Sequence, residues 1–469
     1  MVPILTVPDT KTDRASEARN VRHRAVLYQL FPIEAERDPF QWCVGPGARL
    51  VGRRCGPDQI ELPSDPLVSS RHASITNDGG KFALCDENSR NGTFVNRRKI
   101  SPLHPFLLTD NDVIRVGGTL LLFRLLQDDV PFCTDTPSDF VVRSLEMHDV
   151  LHYARQATAR GGAILILGES GTGKEKVARY IHDQSAKTKQ RTGPLIAVNC
   201  ATLTPELATS ALFGHRKGSF TGAHADHQGF FVAADNGTLF LDEIGEVPTT
   251  VQAHLLRALA EKKFVPVGAT TERNSDVLLV AATNRDLHSA TDSHGFRADL
   301  LARISTHCIE LPPLRKRREE ILPLLLSRFP NGSLPTLDRE LAELLVTYGW
   351  PLNIREVFNL AEYWLTRYPG QTHFVNESLP SWLAASVTNQ PAKDTGTAAS
   401  SVTPQGPSSH SGQRPTRAAQ TTSAEQMEKL LAEHCGNVSS IARVLSLSPR
   451  QVGRILDTHG LEPHKWRGK

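Results

Sequence analysis

Short apolar runs separated by turn-forming residues characterise the first quarter of the chain. From Ala25 to about Leu126, runs such as RLVG, ALC, TFVN and LLLFRLL alternate with Gly, Pro, Asn and Asp. This rhythm predicts an all-β domain with tight turns. Residues 1–22 are polar and are predicted to be a flexible N-terminus, so the β domain is assigned to residues 23–127.

A different pattern begins after a short connector that contains Asp and Pro. Helical stretches alternate with the apolar runs AILILG (163–168), TLFLDE (238–243) and DVLLVAATN (276–284). Runs without polar alternation are typical of strands that are covered on both faces. Residues 140–385 are therefore predicted to form an α/β domain around a parallel sheet.

The end of the chain contains a linker and a small helical unit. Residues 386–423 hold many Ser, Thr, Pro and Gly and few charges, which predicts a disordered linker. Residues 424–469 regain helical periodicity and predict three short helices. Ser448 and Pro449 suit the N-cap and first position of the third helix, as in a helix-turn-helix unit.

Composition agrees with a multidomain protein. At roughly one domain per 150 residues, a chain of 469 residues is expected to hold about three domains. The 53 Lys and Arg against 50 Asp and Glu leave a net charge of only +3, so any DNA binding must rest on a local motif. The seven cysteines show no CxxC pair and no zinc spacing. Without an apolar N-terminal segment, a cytoplasmic protein with no membrane partner is expected.

A glycine-rich loop follows the first apolar run of the central domain. The residues are Gly168, Glu169, Ser170, Gly171, Thr172, Gly173 and Lys174, and a helix-favouring segment comes next. The order of strand, loop and helix predicts a P-loop, in which backbone N–H groups wrap the phosphates of ATP and Lys174 reaches the terminal ones. Glu175 occupies the position where Ser or Thr usually binds Mg²⁺, so other groups must hold the metal.

Asp242 and Glu243 end the second apolar run and are the expected partners of the P-loop. Asp242 is assigned to Mg²⁺, and Glu243 is assigned to the polarisation of the attacking water. The sequence therefore predicts an ATPase that uses ATP and Mg²⁺.

Several motifs resemble the central AAA+ domain of sigma-54-dependent transcriptional activators, and they occur in that family's order. They are GESGTGKE (168–175), LFGHRKGSFTGA (212–223), GTLFLDEIGE (237–246), AATNRDL (281–287), FRADLLARI (296–304) and LPPLRKRREEI (311–321). The resemblance implies a P-loop domain with a helical lid. It also makes Glu175 a family trait.

The resemblance implies roles for further residues around the nucleotide. Thr283 and Asn284 match a polar sensor of the terminal phosphate, and Asn199 matches a residue that switches the catalytic Glu243. Arg297 and Arg303 match arginines presented to the nucleotide of the neighbouring subunit.

A second sensor is implied within YGWPLNIREV (348–357), where Arg355 holds the nucleotide-contacting position. Leu352 stands where the family usually has Gly. Because a Leu adopts positive φ only at a cost, the geometry leading to Arg355 is expected to be disturbed.

The segment 218–223 resembles the family's signature loop, which contacts the sigma factor. The implied contact residues are Gly218, Ser219, Phe220, Thr221, Gly222 and Ala223, with Ser219 in place of the usual Ala. An aromatic residue near glycines suits a mobile, exposed contact.

The N-terminal domain resembles a forkhead-associated (FHA) domain through LVGRR (50–54), VSSRHASI (68–75), DENSRNGTFVN (86–96) and DVIRVG (112–117). Cationic and hydroxyl side chains on loops at one end of a sandwich suit a phosphate. The resemblance implies a phosphothreonine peptide site, with His72 as an internal brace. The candidate binding residues are Arg53, Ser69, Ser70, Arg71, Arg90 and Asn91.

The C-terminal unit resembles the Fis-type DNA-binding end of the same activators. Its third helix would enter a major groove, where Arg450, Gln451 and Arg454 would reach base edges or phosphates. The local charge surplus is small, so assembly of several copies is expected to be needed for binding.

These observations predict an ATP-dependent activator regulated through phosphothreonine recognition. The expected partners are sigma-54 RNA polymerase holoenzyme, promoter-upstream DNA, a phosphothreonine protein or Ser/Thr kinase, and further copies of the chain in a ring, with a hexamer as the expected size. Two alternatives stay open. One is another AAA+ remodeller, in which Phe220 would be a pore loop, and the other is a phosphopeptide-binding scaffold with an altered ATPase.

Overall fold

A computed structural model describes residues 23–32, 41–54, 56, 59–127, 140–188, 191–292, 295–330 and 335–388, together with Leu431, Val452 and Leu456, which are buried. The chain divides into two units, residues 1–391 and 392–469. The predicted N-terminal segment 1–22 lies outside the described residues. So do the linker from residue 389 onward and, apart from the three residues named above, the helix-turn-helix unit.

The N-terminal domain is a sandwich of two sheets. Its described strands are β1 (His23–Phe31), β2 (Gln41–Val44), β3 (Gly47–Gly52), β4 (Ile60–Glu61), β5 (Ala73–Asp78), β6 (Lys81–Asp86), β7 (Thr93–Val95), β8 (Arg98–Lys99), β9 (Phe106–Leu107), β10 (Asp112–Val116) and β11 (Thr119–Gln127). One sheet has the order β2-β1-β11-β10-β7-β8 and the other β4-β3-β5-β6-β9. Neighbouring strands are antiparallel except β3 and β4.

Strands β1 and β11 are buried on both faces. Leu27 and Phe123 point into the core between the two sheets. Tyr28 and Leu122, on the opposite face, belong to a second apolar cluster that includes the helical lid described below. Because successive side chains of a strand alternate between its faces, this sheet separates two cores.

The central domain contains a parallel sheet with the order β13-β14-β17-β12-β18. Its described elements are α1 (Leu145–Arg160), β12 (Ile164–Leu167), α2 (Lys174–Lys187), β13 (Leu195–Asn199), α3 (Pro205–Phe213), α4 (Phe230–Ala233), β14 (Thr238–Asp242), α5 (Thr249–Glu261), β15 (Lys263–Phe264), β16 (Arg273–Asn274), β17 (Leu278–Thr283), α6 (Leu287–Asp292), α7 (Ala298–Ile304) and β18 (His307–Glu310). Apolar clusters cover both faces of this sheet, as the unbroken apolar runs predict.

The lid follows the sheet and is mainly helical. It comprises α8 (Ile321–Leu326), β19 (Thr336–Leu337), α9 (Arg339–Thr347), α10 (Asn353–Arg367), β20 (His373–Phe374) and α11 (Ser381–Thr388). Trp350 and Trp364 are fully buried, and the Trp364 ring stacks on Phe374 with centroids 4.3 Å apart. Helix α11 continues to residue 388, three residues beyond the predicted end of the domain.

Among the helices that the structure describes, none combines the length and the apolar composition needed to cross a membrane.

Candidate functional site

The P-loop joins β12 to α2. Gly168 donates its N–H to the carbonyl oxygen of Thr283 at 3.2 Å, which fastens the start of the loop to β17. Gly171 and Gly173 adopt φ of 77° and 104°, values that favour glycine. Helix α2 begins at Lys174, so the N–H groups of its first turn face the loop. This arrangement forms an anion site at a helix N-terminus.

Lys174 lies within this loop. Its side chain is buried, and Nζ donates to the carbonyl oxygens of Gly168 at 3.0 Å and Glu169 at 3.3 Å. An ammonium held against the loop backbone is placed to meet phosphate oxygens there. Glu175, one position further, is exposed and lies 3.8 Å from Arg179 in an i,i+4 pair, pointing away from the loop.

Asp242 and Glu243 lie at the carboxyl end of β14, two strands from the P-loop strand. An Asp242 carboxylate oxygen accepts the N–H of Glu243 at 3.0 Å. Glu243 adopts φ of 50°, a conformation that costs free energy for a residue with a side chain and is frequent at functional sites. The strand register places Asn199 beside Asp242, and the Asn199 amide oxygen accepts the N–H of Ala201 at 2.9 Å.

Thr283 and Asn284 end β17, the strand between β14 and β12. Thr283 is fully buried and its hydroxyl accepts the N–H of Arg285 at 3.1 Å, whereas Asn284 is exposed. Because carboxyl ends of parallel strands share one edge of the sheet, Lys174, Asp242 and Thr283 gather at that edge. The structure thus brings together the residues predicted to bind and hydrolyse ATP within one subunit.

The lid contacts the P-loop directly. Arg355 donates from Nη1 to the hydroxyl of Ser170 at 3.0 Å, and Ile354 donates its N–H to the carbonyl of Gly171 at 3.0 Å. A Cβ at Gly171 would lie 2.2 Å from the carbonyl oxygen of Leu352. Only a glycine at position 171 therefore permits this close approach.

The expected disturbance at Leu352 is wrong. Leu352 has φ of −102°, which any residue adopts, and the positive φ values fall on Trp350 (46°) and Asn353 (53°) instead. The turn before α10 therefore needs no glycine at position 352. Arg355 reaches the P-loop with ordinary backbone geometry at Leu352.

Sequence reasoning missed three residues that hold the P-loop. Asn353, fully buried, donates to a Glu169 carboxylate oxygen at 3.2 Å and to the Ser170 carbonyl at 3.0 Å. Arg315 makes a bidentate pair with Glu169 at 2.8 and 2.6 Å, which holds the pKa of that carboxyl below its usual range. Arg317 donates to the Thr172 carbonyl at 2.7 Å. The available signal was that these residues lie within the motifs LPPLRKRREEI and LNIREV. Neither motif specifies a contact with residues more than 140 positions away in the sequence.

The structure places Arg303 away from this edge, whereas the N–H of Arg297 donates to the Gln252 amide oxygen at 2.8 Å. Arg297 precedes α7 and pairs with Asp299 at 2.7 Å, and Arg303 donates to the Leu259 carbonyl at 3.0 Å. Arg303 lines a cavity of about 420 Å³ that is also lined by Ala163 and Leu278, at the amino ends of β12 and β17. The P-loop lies at the carboxyl ends of the same strands, so Arg303 is remote from the nucleotide site of its own subunit.

The loop 218–223 forms a compact turn between α3 and α4. Gly218 donates its N–H to the Ala223 carbonyl at 2.8 Å, and both Gly218 and Gly222 have positive φ. Phe220 is 37% exposed, and its ring meets that of His215 edge-on at 4.9 Å. Thr221 is exposed, Ala223 is buried, and the Ser219 hydroxyl donates to the Arg216 carbonyl at 2.6 Å. Hydrogen bonds within the turn therefore present an aromatic side chain at the surface.

Loops at one end of the sandwich bring the candidate phosphopeptide residues together. The Arg53 N–H bonds to the Ser69 carbonyl at 3.0 Å, and the Ser69 hydroxyl accepts the N–H of Arg90 at 3.2 Å. The Asn91 amide donates to the Leu67 carbonyl at 2.6 Å. Ser70 and Arg71 are exposed beside them. This network forms a polar surface that includes the three arginines Arg53, Arg71 and Arg90, and such a surface is suited to a phosphate.

His72 supports this surface from inside the domain. It is fully buried, and burial lowers its pKa below the ordinary value. Nδ1 accepts the N–H of Ser69 at 3.1 Å, so the proton of the neutral ring is on Nε2, which donates to the Gly92 carbonyl at 3.3 Å. The Asp86 carboxylate, also buried, accepts from the hydroxyls of Ser89 and Thr93 at 2.7 and 2.5 Å. Together they fix the two loops that carry the surface.

The candidate DNA-binding residues Arg450, Gln451 and Arg454 lie outside the described residues.

Comparison with protein families identifies both described domains. Residues 140–310 match the family model of the sigma-54 interaction domain, and residues 49–117 match that of the FHA domain. These matches confirm the predicted FHA sandwich and the AAA+ α/β domain.

Curated relatives include several transcriptional regulators. The Nif-specific regulatory protein of Herbaspirillum seropedicae is 39% identical over 341 residues, covering 69% of this chain and 62% of the relative. The transcriptional regulatory protein ZraR of Klebsiella oxytoca is 42% identical over 238 residues, covering 49% and 53%, and the regulatory protein AtoC of Escherichia coli (strain K12) is 41% identical over 255 residues, covering 53% and 54%. The chain spans less than two thirds of the length of each.

Solved structures that resemble the chain include NtrX and an FHA domain. NtrX from Brucella abortus in complex with ADP aligns with a TM-score of 0.49 at 25% identity, covering 69% of this chain and 70% of that chain. An FHA domain from a study of phosphothreonine-dependent interactions aligns with a TM-score of 0.19 at 31% identity, covering 22% of this chain and 95% of that chain.

Proposed function

We propose that this chain, which belongs to the sigma-54-dependent transcriptional activators and carries an FHA domain, hydrolyses ATP to remodel sigma-54 RNA polymerase. A phosphothreonine protein controls this activity. The observation that supports this most directly is the convergence of Lys174, Asp242, Glu243 and Thr283 at one edge of the parallel sheet. The exposed aromatic turn at 218–223 supports the choice of target.

Each residue of the edge has a proposed part in hydrolysis. The P-loop N–H groups and Lys174 bind the phosphates, Arg355 adds a cation from the lid, and Thr283 and Asn284 lie where the terminal phosphate would be sensed. Glu243 orients and polarises the attacking water. Asn199, on the next strand, is placed to set the position of Glu243.

Asp242 is the proposed protein ligand of Mg²⁺. Among the described residues, no group of three or more His, Cys, Asp or Glu could hold a metal ion. One carboxylate fits Mg²⁺, which in nucleotide sites takes its other ligands from phosphates and water. The ion would neutralise charge on the phosphate oxygens.

Arg297 and Arg303 are proposed to complete the nucleotide site of a neighbouring subunit. The location of Arg303 at the amino ends of β12 and β17 supports this role, because from there it cannot reach the P-loop of its own chain. Hydrolysis then requires a ring of subunits, with a hexamer as the proposed size. A guanidinium stabilises charge spread over the phosphoryl oxygens of the transition state.

The remaining partners are proposed from the two ends of the chain. Arg53, Ser69 and Arg90, with Ser70, Arg71 and Asn91 around them, would bind phosphothreonine of a partner protein or kinase. Arg450, Gln451 and Arg454 would bind promoter-upstream DNA, a proposal supported by the helix-turn-helix pattern of the sequence alone. The scaffold alternative rested on Leu352 and on the altered surroundings of the 218–223 loop, and the ordinary φ of Leu352 removes the first of these two grounds.

The test separates ATP hydrolysis from polymerase remodelling. Purified protein should hydrolyse ATP and open a promoter bound by sigma-54 RNA polymerase, and Lys174→Ala should abolish both activities. Phe220→Ala should keep ATP hydrolysis and lose promoter opening. Leu207→Ala, a control at an exposed apolar residue of the neighbouring helix α3, should keep both.

Promoter opening by Phe220→Ala at the wild-type rate would refute the role of the loop. Absence of ATP turnover in concentrated wild-type protein would refute the ATPase proposal itself.

A further inference from the structure

The outer face of the FHA sheet is covered by the lid of the ATPase domain. Val26, Tyr28, Val113, Leu120 and Leu122 are at most 5% exposed and share one apolar cluster with the leucines of the lid helices. Burial of apolar side chains on this scale stabilises a contact by about 1.5–3 kcal/mol per fully buried residue before entropic costs. The two domains therefore form one packed body rather than two domains joined by a linker.

Buried ion pairs cross the same contact. Arg124 of β11 is 4% exposed and pairs across the contact with Glu319 at 2.8 Å and with Glu146, and within its own domain with Asp110 at 3.1 Å. Arg115 of β10 pairs with Glu343 of the lid at 2.8 Å. Because a buried charge without its partner is costly, these pairs favour one docked orientation.

One segment of the ATPase domain contacts both the FHA domain and the P-loop. This segment, residues 314–320, is named here the clamp segment. On the FHA side, the Asn111 amide donates to the Arg315 carbonyl at 2.6 Å, and Arg318 donates to the Asn111 carbonyl at 3.2 Å. On the nucleotide side, the Arg315 guanidinium holds Glu169 and Arg317 holds the Thr172 carbonyl. Arg315 thus touches the FHA domain with its backbone and the P-loop with its side chain.

We propose that the docked FHA domain is part of the nucleotide site, because it fixes the clamp segment and so sets how Arg315 holds the P-loop. Arg315 is a positioning residue, and Asn111 positions it from the other domain. The inference rests on the proposed ATP binding at the P-loop. It adds that the affinity for ATP depends on a hydrogen bond between the FHA domain and the clamp segment.

Asn111→Asp in the full chain tests this inference. The isosteric change replaces the N–H donor by a carboxylate oxygen facing the Arg315 carbonyl, and the Asn111 φ of 72° is a conformation that Asp tolerates. Loss of one hydrogen bond of about 1 kcal/mol, with repulsion between the new carboxylate and the Arg315 carbonyl added, predicts that the Kd for a fluorescent ATP analogue and the KM for ATP rise at least about five-fold. The kcat should stay within about two-fold, because the catalytic groups are unchanged.

Two further variants define the origin of the effect. Asn111→Gly keeps the positive φ and removes the donor without adding repulsion, so a smaller rise in Kd is expected. Asn77→Asp is the matched control, because its amide donates to the Gly45 carbonyl at 3.4 Å within the same domain but away from the lid. It should leave Kd unchanged. A merely structural role for Asn111 would lower the active fraction, and with it kcat, without changing Kd.

Combining Asn111→Asp with Arg315→Ala tests whether Asn111 acts through Arg315. If Asn111 acts through Arg315, Asn111→Asp should have no further effect on Kd when Arg315 is already Ala. An unchanged Kd for Asn111→Asp, or an equal rise in both backgrounds, would overturn the inference. Since Kd is measured without turnover, absence of hydrolysis in the wild type would count against the proposed function only, and Lys174→Ala, which should abolish analogue binding, reports on the site itself.

Discussion

Arg317 is a buried guanidinium that joins the clamp segment to the P-loop. It is 2% exposed, and it donates to Glu320 at 3.1 Å and to the Thr172 carbonyl at 2.7 Å. Glu320 is fully buried and also accepts from the hydroxyl of Ser144 at 2.6 Å and from the N–H groups of Ser144 and Arg143 at 3.2 and 3.3 Å. We predict that Arg317→Met strongly destabilises this domain, because it leaves the carboxylate without its cation.

The size of this destabilisation depends on the hydrogen bonds that Glu320 keeps in the variant. Removal of one partner of a buried pair costs about 3–5 kcal/mol. Three N–H and O–H donors remain on Glu320, so we take the lower limit, about 3 kcal/mol. In Arg317→Met with Glu320→Gln, the neutral amide oxygen keeps the bonds from Ser144 and Arg143 and no charge is left unpaired. The double variant should therefore recover about 2 kcal/mol of the stability that Arg317→Met loses.

The loss of stability can be measured by urea unfolding monitored through tryptophan fluorescence. Trp350 and Trp364 report on it because they are fully buried in the lid that packs on the clamp segment. With a slope of about 3 kcal/mol per M, the midpoint should fall by about 1 M in Arg317→Met. Arg328→Met is the control, since Arg328 pairs with Glu362 at 2.7 Å on the surface and such pairs contribute less than about 1 kcal/mol. A midpoint for Arg317→Met equal to that of the control, or a double variant as unstable as the single one, would refute the reasoning.

Three further predictions concern hydrolysis and phosphopeptide binding. Glu243→Gln should bind the ATP analogue with wild-type Kd and lose about 10²-fold or more in kcat, as expected for loss of a general base; a matching loss of binding would contradict the assigned role. Arg303→Ala should bind ATP normally and hydrolyse it about 10³-fold more slowly. Mixing it with Lys174→Ala subunits should restore part of the rate, because one subunit supplies Lys174 and its neighbour supplies Arg303. No recovery in mixtures would exclude completion of the site in trans. Because the pKa of His72 is lowered by burial, the stability that its neutral form contributes is present above pH 6.5 and is lost as the pH falls through the folded pKa. The melting temperature of the wild type should therefore fall more steeply with acidification than that of His72→Gln, and equal falls would show that the pKa of His72 is the same in the folded and the unfolded chain.

The edge that carries the ATPase residues could be predicted from the sequence. Apolar runs without polar alternation require strands covered on both faces, and Gly, Asp and Thr at their ends then fall on one edge of a parallel sheet. What could not be predicted was how the P-loop is held from outside. Asn353 and Arg315 lie more than 140 residues from Glu169 in the chain, and local patterns carry no information about hydrogen bonds at that separation.

Leu352 shows a related gap between residue type and backbone conformation. The sequence shows a Leu where a related pattern has Gly, but which residue of a turn takes positive φ depends on the contacts around the whole turn. Asn353 takes that conformation because its side chain bonds to the P-loop and accepts the N–H of Leu314 at 2.8 Å. Tertiary hydrogen bonds therefore stabilise the positive φ at Asn353, while Leu352 keeps an ordinary φ.

The strand TLLLFRLLQ illustrates what the sequence by itself determined about this protein. Its apolar residues occupy both alternating positions, so both faces of β11 had to be buried, whatever the partner. Only the tertiary structure decided that the second face packs on the ATPase lid and that Arg124 within it pairs with Glu319. The physical reason is that hydrophobic burial is non-directional and specifies that a face must be covered, whereas shape and paired buried charges select what covers it.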